Sequence, residues 1–216
     1  MAKLITGSIA NGFLNSWRNF WENINCPILS VSTSGTTLSL TIDDDLVLNL
    51  GCDDTNYVRN PLSISFMGST LVSYEASYGM RSTPANITLA FTDKLFYLRI
   101  RNQYTSGNNI GLTVVYEKIG GKKYAGYARA DMSDLKNITM VDSDGNSNTR
   151  AALIPYEVAA NSIDYAENDV LLISGIKACT DPNFVACSTI SNNSVITFGG
   201  QNYYAVGTKS ALKIDE

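Results

Sequence analysis

Apolar and polar residues alternate along most of the chain from Ile28 onward. The alternating runs are rich in Val, Ile, Thr, Tyr and Phe, and turn residues interrupt them about every 8 to 12 positions, which is typical of a sandwich or barrel. The pattern predicts an all-β protein whose main domain, residues 26–130, is an antiparallel, jelly-roll-like β-sandwich. The runs that carry this prediction are ILSVST, TLSLTI, DLVLNL, LSISFMG, TLVSYEA, ITLAFT, KLFYLRIR and IGLTVVYEKI.

The run KLFYLRIR separates into two faces, because side chains on a strand point alternately to opposite sides. Leu95, Tyr97 and Arg99 share one side, and the apolar residues between them share the other. One face can enter a core while the other carries the arginines. We therefore expect a half-solvated antiparallel sheet at this run.

Two glycine pairs mark hairpins. Gly120 and Gly121 interrupt one alternating stretch, and Gly199 and Gly200 lie between VITF and QNYYAV. Glycine adopts the positive φ values that two-residue hairpin turns require. Between these hairpins the sequence becomes polar and weakly periodic. We therefore predict a domain boundary near position 130 and a smaller C-terminal β domain over residues 131–216.

The N-terminal segment NGFLNSWRNFWENIN, residues 11–25, differs from the rest because its apolar residues follow a helical period. The spacing places its aromatic side chains on one face of a helix, with Asn, Arg and Glu on the remainder. A helix of this length is marginal alone in water, so another surface must cover the aromatic stripe. The stripe consists of Phe13, Trp17, Phe20, Trp21 and Ile24.

Three surfaces are candidates for covering this stripe. The chain's own sheet would make the helix a lid on the sandwich, whereas another protein would make residues 1–25 a docking helix. A membrane surface is the third, although Arg18 is the single basic residue of the polar face, where an interfacial helix usually carries several. We interpret the stripe functionally as a partner-docking site, and own-sheet packing stays open beside it.

Composition limits the function classes. Charged residues make up 17% of the 216 residues and the formal net charge is −4, so the sequence lacks the basic footprint of nucleic-acid binding. No apolar run reaches the roughly 18 to 20 residues that span a bilayer, and the N-terminus lacks the apolar core of a secretory signal. We expect a soluble protein made in the cytoplasm, with neither nucleic acid nor a membrane as a partner.

The chain contains no histidine. Its absence excludes nucleophile systems that depend on histidine and catalytic metals with histidine ligands. Carboxylates, lysines and tyrosines remain for any catalysis. The expectation is a protein that is not an enzyme, with no catalytic residue, no metal and no cofactor.

Two acidic clusters are the candidates for carboxylate chemistry. IDDDL holds Asp43, Asp44 and Asp45, and GCDDT holds Asp53 and Asp54. A glycosidase needs two carboxylates about 5 to 9.5 Å apart across a sugar. Aspartate also suits tight turns between strands. We prefer the turn interpretation of IDDDL, and a carboxylate-dependent depolymerase that uses Asp43 and Asp53 is the alternative.

The stretch DSDGNSNTR offers alternating oxygen donors at Asp142, Asp144, Asn146 and Asn148, which is a feature of calcium loops. An EF-hand loop requires glycine at its sixth position and glutamate at its twelfth. Counted from Asp142, a glycine falls at the fourth position and a leucine at the twelfth. A hairpin turn at Asp-Gly is therefore preferred over a divergent metal loop.

Tyrosines and cysteines have ordinary structural interpretations. Tyrosine favours sheet cores and subunit interfaces, so we prefer these roles over a ligand-stacking shelf. Cys26, Cys52, Cys179 and Cys187 match no zinc-site spacing, and we expect buried free thiols. A Cys179–Cys187 bridge is the alternative and requires an oxidising compartment.

The C-terminal stretch VITFGGQNYYAVGTKSALKID, residues 195–215, resembles the closing hairpin of small virion structural proteins of tailed phages and prophages of gut Firmicutes. KLFYLRIRNQYTSGNNIGLTVVYEKIGGKKYAGY is similar to the same group. The two stretches cover about 55 of the 216 residues and contain no catalytic motif. The resemblance implies a place in the virion, in the tail, baseplate, head fibre or capsid decoration.

These observations lead to two function classes. The first is a structural and interaction component of a virion, assembled in the host cytoplasm, whose partners are other virion proteins and copies of itself. The second is a receptor- or carbohydrate-binding virion protein, for which a host-surface glycan is the partner. The β-architecture suits both classes, because particle components work through repeated surfaces.

Overall fold

Among the residues that it describes, the computed structural model contains β-strands and one α-helix, and most strand pairings are antiparallel. The fold is therefore all-β, with one short helix near the N-terminus and a small C-terminal sheet, which confirms the predicted fold class. The structure describes residues 2–9, 14–53, 57–73, 79–81, 85–102, 110–119, 121–128, 138–147, 149–150, 153–159, 162–165, 172–173, 176–177, 184–187, 191, 193–198, 200–205 and 210–214.

The helix α1 comprises Leu14–Glu22. The strands are β1 (Lys3–Ile9), β2 (Leu29–Ser34), β3 (Thr37–Ile42), β4 (Leu46–Asp53), β5 (Tyr57–Phe66), β6 (Ser69–Ser73), β7 (Gly79–Arg81), β8 (Ala85–Phe91), β9 (Leu95–Asn102), β10 (Ile110–Ile119), β11 (Lys122–Ala128), β12 (Thr139–Asp142), β13 (Thr149–Arg150), β14 (Leu153–Ala159), β15 (Ser162–Tyr165), β16 (Leu172–Ile173), β17 (Ile176–Lys177), β18 (Phe184–Cys187), β19 (Val195–Phe198), β20 (Gln201–Ala205) and β21 (Ser210–Ile214).

The strands form three larger sheets and one two-stranded pair. The first sheet has the order β1-β8-β9-β10-β11-β12-β13, and the second has the order β2-β3-β4-β5-β6, with β7 also pairing with β5. The third has the order β15-β14-β18-β21-β20-β19, and β16 pairs with β17. A parallel pairing joins β14 and β18.

The chain divides into two compact units. The first unit contains Ile5–Tyr116 with Arg129–Asp131, and the second contains Met1–Leu4, Glu117–Ala128 and Met132–Glu216. The domain limits inferred from the sequence, after positions 25 and 130, stay predictions. In the first unit, α1 contacts β2 and β3.

The second sheet, which we call the β2–β6 sheet, has one apolar face. In β3 the burial alternates position by position, and every second side chain is fully buried while those between are half-buried. Burial of each such aliphatic or aromatic side chain stabilises the fold by about 1.5–3 kcal/mol. The apolar face consists of Leu38, Leu40, Ile42, Leu46, Leu48, Leu50, Ile64 and Phe66.

A strand of the other sheet in the same unit packs against this apolar face. The ring of Tyr116 on β10 meets the ring of Phe66 on β5 edge to face, with centroids 6.4 Å apart and an interplanar angle of 73°. Such a geometry is favourable for aromatic pairs. Two layers of sheet therefore meet within the first unit, as in the predicted sandwich.

The strand β9 corrects one prediction. All residues from Leu95 to Ile100 are buried, including Tyr97 at 0% and Arg99 at 4% exposure. Both faces of β9 are covered, so the half-solvated sheet predicted for this run is wrong. Tyrosine and arginine have long apolar portions that pack in a core while their polar ends find partners, and Arg99 does retain polar interactions.

Both predicted glycine hairpins are present. The strands β19 and β20 pair directly, with Phe198 opposite Gln201, and Gly200 has a φ of 75°. The strands β10 and β11 are neighbours in their sheet, and Gly121 between them has a φ of 80°. Gly120 and Gly199 lie outside the described residues.

Two N-terminal features differ from the sequence prediction. The strand β1 was not anticipated, because KLITGSI is too short and mixed to show a clear period. The helix ends at Glu22, three residues before the predicted limit, because the N–H of Ile24 donates to the carbonyl of Trp21 and tightens the last turn.

Candidate interaction surface

One side of the β2–β6 sheet carries two adjacent rows of short, uncharged side chains that cross the strands. Strand pairing places Ser32, Ser39, Asn49, Ser63 and Ser73 in one row. The neighbouring row contains Ser30, Thr41, Val47, Ser65 and Thr70. We call these two rows the polar face. Neither row contains a charged residue.

Side-chain hydrogen bonds join the central strands of the polar face. The hydroxyl of Ser39 donates to Oδ1 of Asn49 at 2.7 Å, and Nδ2 of Asn49 donates to the hydroxyl of Ser63 at 2.8 Å. One amide thus ties β3 to β4 and β4 to β5. Each such bond contributes about 0.5–1.5 kcal/mol when protected from water, and these side chains are half-buried.

The sequence creates this surface through strict alternation. The strands β2, β3 and β4 are antiparallel with a regular register from Leu29 to Asn49, so every second residue reaches the same side. Those positions are occupied by Ser and Thr in β2 and β3. The result is a surface that offers hydroxyl and amide groups, with exposed serines at the β2 and β6 edges.

Sequence reasoning identified the runs that form the polar face but did not assign them a surface role. The signal was present in ILSVST, TLSLTI, LVLNL and LSISFMG, where four runs carry Ser, Thr, Asn or Val at alternate positions. Surface strands usually carry Lys or Glu at some such positions. The absence of charge across consecutive strands was the feature to note.

Asp43 and Asp44 form the turn between β3 and β4. Both have positive φ values, 52° and 60°, and the N–H of Asp45 donates to the carbonyl of Ile42 at 3.1 Å. These φ signs belong to a type I′ turn, which matches the twist of paired strands and which aspartate tolerates. The turn interpretation of IDDDL is confirmed.

The neighbouring segments hold this turn from two sides. The N–H of Asp43 donates to the carbonyl of Ile28 at 2.7 Å, and the N–H of Met67 donates to the carbonyl of Asp45 at 2.9 Å. Met67 and Gly68 form the β5–β6 turn, also with positive φ values, 51° and 77°. Two hairpin turns therefore lie side by side at one end of the β2–β6 sheet.

Tyr116 connects this end of the sheet to β10. Its phenol is buried and donates a hydrogen bond to the carboxylate of Asp43. Burial raises the pKa of Tyr116, and the negative charges of Asp43 and Asp45 raise this pKa further. The phenol therefore stays protonated and remains a donor to Asp43. In this structure Asp43 has a structural contact between two sheets.

The second member of the predicted carboxylate pair is not placed beside Asp43. Asp53 is the last residue of β4, and its side chain lies outside those that the structure describes. Asp54 lies outside the described residues altogether. The depolymerase alternative therefore gains no geometric support from the residues that the structure describes.

Asp142 organises the loop between β12 and β13. One carboxylate oxygen accepts the backbone N–H groups of Asp144 and Asn146 at 3.0 and 2.9 Å, and the other accepts the Asn146 side-chain amide at 3.2 Å. The ammonium of Lys122 lies 3.5 Å from Asp142 and pairs with Asp144. Burial acts to raise the pKa of Asp142, but these donors outweigh it and lower the pKa below its ordinary value.

This arrangement confirms the hairpin interpretation of DSDGNSNTR. The strands β12 and β13 pair antiparallel, with Met140 opposite Thr149. N–H donors surround the Asp142 carboxylate, and the cation beside it is Lys122. Within the described ranges, no group of three or more His, Cys, Asp or Glu side chains is arranged to hold a metal ion. Asn148 lies outside those ranges.

The aromatic stripe of α1 is divided between buried and partly exposed members. Trp17 and Trp21 are buried at 0% and 1% exposure, and the ring of Phe20 packs edge to face on Trp21 at 5.1 Å. Phe20 and Ile24 are half-buried. The burial of the two tryptophans agrees with the alternative in which the chain's own sheet covers the stripe, and α1 contacts β2 and β3. Phe13 lies outside the described residues.

The docking role of the stripe stays a prediction. Among its described members, Phe20 and Ile24 retain surface for a partner. On the opposite side of the helix, Arg18 pairs with Glu22 at 2.6 Å, which is the ordinary i, i+4 arrangement of an exposed helix face. Any docking contact of α1 would therefore be made by the rim of the stripe.

Five of the tyrosines whose side chains the structure describes, and the one described cysteine side chain, are core residues, whereas Tyr127 is half-buried. Tyr97, Tyr116, Tyr124, Tyr203 and Tyr204 are all buried, as the preferred interpretation of the tyrosines requires. Cys26 is a buried free thiol, and burial raises its pKa above the ordinary value. A thiol in that state is a weak nucleophile. Cys179 lies outside the described residues, so its pairing with Cys187 stays a prediction.

Comparisons of the chain with protein-family models, with curated proteins and with solved structures gave no match. The virion resemblance therefore rests on the sequence stretches that carry it. Among the described residues, no helix has the length and hydrophobicity that crossing a bilayer requires. The polar face, two uncharged rows that cross five strands, is our candidate interaction surface.

Proposed function

We propose that this chain is a structural component of a bacteriophage virion that assembles through repeated β surfaces. The candidate positions are the tail, the baseplate, a head fibre and a capsid decoration. The observation that carries the proposal is the polar face, two rows of uncharged side chains that cross five strands. Its partners in this role are other virion proteins and copies of the same chain.

The chemistry of the polar face favours protein contacts. The polar face has no charged residue, so a protein that covers it desolvates no charge, which is the costliest group to bury. Serine, threonine and asparagine lose less side-chain entropy on contact than lysine, arginine or glutamate. Both terms lower the cost of a repeated contact at the polar face.

The sequence resemblance supplies the setting. The described strands of the phrase VITFGGQNYYAVGT are β19 and β20, a hairpin whose Tyr203 and Tyr204 are buried in the second unit. The phrase is thus a structural signature of this hairpin. It indicates a class of protein more than it indicates an activity. The proposed location in a virion rests on this phrase, and the proposed mode of assembly rests on the polar face.

The first test asks whether the chain is part of a particle. Phage particles are induced from cells that carry the coding sequence, banded by density and digested for mass spectrometry. Peptides of this chain should copurify with the major structural proteins at many copies per particle. Peptides recovered from the lysate but absent from banded particles would overturn the proposal.

A second test concerns the partner-docking role of α1. Phe20→Ser and Ile24→Ser together remove the apolar rim of the stripe and leave Trp17 and Trp21 in the core. Incorporation into particles should fall while the circular dichroism of the purified chain is unchanged. Arg18→Ser, on the exposed side of α1, is the matched control and should incorporate normally. Equal incorporation of both variants would remove the helix from the assembly mechanism.

Receptor or carbohydrate binding is the second candidate function. The hydroxyl and amide groups of the polar face are the kind of donors and acceptors that bind uncharged sugars, and this observation favours a host-surface glycan as the ligand. Binding of the purified chain to a glycan array, lost on Asn49→Ala, would support this function. Silence across the array would leave particle assembly as the role of the surface.

A further inference from the structure

The outermost strand of the β2–β6 sheet, β2, presents backbone groups that face away from the sheet. The N–H of Asp43 donates to the carbonyl of Ile28, which makes these two residues a hydrogen-bonded pair of the β2–β3 ladder. Because such pairs alternate along antiparallel strands, Ser30 and Ser32 also bond to β3. The N–H and C=O groups of Val31 and Thr33 therefore point outward.

These outward groups have no backbone partner in the part of the chain that the structure describes. The N–H of Leu29 is the exception, because it donates to the carbonyl of Cys26 at 3.2 Å. The serine side chains of β2 are exposed, so α1, although it contacts β2, leaves the polar face of this strand uncovered. A row of unpaired donors and acceptors at a sheet edge is a template for another strand.

The strand β2 also lacks the features by which proteins block their edges. Its six residues, LSVSTS, include no charge and no proline, and its register with β3 is uninterrupted. The opposite edge of the same sheet differs, because the pairing of β6 with β5 is broken by a bulge between Ile64 and Ser65. Bulges, charges and prolines prevent pairing between edges. Of these two edges, β2 is the one left open to pairing.

The side chains of β2 are arranged so that an added strand would continue both faces of the sheet. Leu29, Val31 and Thr33 lie on the apolar side and are only half-buried, because the sheet ends beside them. The exposed serines lie on the side of the polar face. A second β2 strand has the same alternation and would cover the half-buried residues while extending the polar rows.

We propose that β2 pairs antiparallel with β2 of a second copy of this chain, about a two-fold axis that places Ser32 opposite Ser32. Val31 of one copy then exchanges hydrogen bonds with Thr33 of the other. The row through Ser39 and Asn49 continues across the axis into the same row of the second copy. Addition of a strand to an open edge is a common mode of recognition.

This pairing names one of the repeated contacts of the proposed function and rests on that function for its setting. It converts two β2–β6 sheets into one continuous sheet with one uninterrupted polar face. A two-fold contact of this kind is closed, because each copy uses the same strand. Larger assembly then requires a different surface.

The register predicts a specific disulfide. Ser32 lies in a pair without direct hydrogen bonds between the two copies, and such pairs have Cα atoms about 4.5 Å apart, within the range that a disulfide spans. Ser30 lies opposite Ser34 in the same register, so the two copies of Ser30 are about 13 Å apart. Ser32→Cys should therefore link two copies under mild oxidation, and Ser30→Cys should not.

The experiment compares Ser32→Cys with Ser30→Cys and with the unmodified chain, which has four cysteines of its own. Dimer is quantified on nonreducing gels, and the linked peptide is identified by mass spectrometry. We expect at least about tenfold more linked dimer for Ser32→Cys, because the control thiols lie beyond disulfide reach. Equal yields for the two variants would overturn the pairing, even if the chain is found in particles.

A second pair of variants tests the backbone contact without a new thiol. Thr33→Pro removes an outward N–H at an edge position where proline is tolerated, whereas Thr33→Val keeps the N–H. Light scattering over a concentration series should show loss of the dimer for Thr33→Pro and retention for Thr33→Val. Retention of the dimer by both variants would overturn the pairing. If Thr33→Pro fails to fold, the Ser32→Cys comparison decides.

The two experiments separate this inference from the proposed function. Linked dimer together with absence from particles would support the pairing and overturn the virion role. Presence in particles together with no difference between Ser32→Cys and Ser30→Cys would overturn the pairing and support the virion role.

Discussion

Two strands of the first unit, β3 and β9, both alternate in sequence but are buried differently. In β3, TLSLTI, every second side chain is buried and those between are half-buried. In β9, LFYLRIRN, all side chains from Leu95 to Ile100 are buried. The difference lies in the residues that alternate with the apolar ones. Serine and threonine occupy those positions in β3, and tyrosine and arginine occupy them in β9.

This comparison shows which alternation marks a solvent-facing sheet. Serine and threonine are small, so covering their face within the chain would bury little apolar area. Tyrosine and arginine bring large apolar portions and gain stability when a second layer covers them. Polar residues at alternate positions therefore do not by themselves predict a solvent-facing sheet. Small ones such as serine favour a face that stays uncovered, and large ones such as tyrosine favour a face that a second layer covers.

The largest expected effect is at the second face of β9. Tyr97→Ala should lower the free energy of unfolding by about 3–5 kcal/mol, because it removes a buried aromatic ring and leaves a cavity. Chemical denaturation measures this loss, and Tyr97→Phe, which retains the ring, should lose much less. A loss below about 1 kcal/mol for Tyr97→Ala would mean that this face is not part of a packed core.

The next effect contrasts the two faces of one strand in the β2–β6 sheet. Leu48→Ala should cost about 2–5 kcal/mol, because Leu48 lies in the centre of the apolar face. Val47→Ala, the adjacent residue on the polar face, should cost no more than about 1 kcal/mol. Chemical denaturation of both variants measures the two losses of unfolding free energy. Equal costs would contradict the assignment of the two faces.

The contact between the two sheets should respond to pH. Tyr116→Phe removes the hydrogen bond to Asp43 and should cost about 1–2 kcal/mol at neutral pH. The pKa of Tyr116 is raised in the folded state. The stability that this phenol contributes is therefore complete below the unfolded value of about 10 and declines as the pH rises above it.

The measurement for Tyr116 is the stability difference between the unmodified chain and Tyr116→Phe as a function of pH. This difference should be constant near neutrality and should shrink above a pH of about 10, because only the unmodified chain then has the Tyr116 phenol to ionise on unfolding. A difference that grows with pH would contradict the contact of the phenol with Asp43.

The smallest expected effect is at the hydrogen bonds of the polar face. Asn49→Ala should cost about 0.5–1.5 kcal/mol, because it removes the bonds to Ser39 and Ser63. Ser32→Ala, in the same row but exposed at the edge, should stay within about 0.5 kcal/mol of the unmodified chain. If Asn49→Ala has no larger effect than Ser32→Ala, the side-chain network does not stabilise the sheet.

The sequence predicted much of the fold and little of the candidate site. Alternation identified the strands β2–β6 and β8–β10, and glycine and aspartate identified the hairpin turns at Gly121, Gly200 and Asp43. The rows of the polar face required the register between strands, since a slip of one residue would exchange the two faces. The outward-facing edge of β2 likewise required knowledge of which strand lies at the end of the sheet.

By itself, the amino-acid sequence determined the all-β class, the positions of several turns and the uncharged alternate positions from Ser30 to Asn49 within β2, β3 and β4, because these depend on neighbours along the chain. The tertiary structure decided what covers each face. It buried Trp17 and Trp21 within the chain, and it joined Tyr116 to Asp43 across 73 positions. Contacts of that kind depend on the order in which strands pair and layers pack, which local periodicity does not encode.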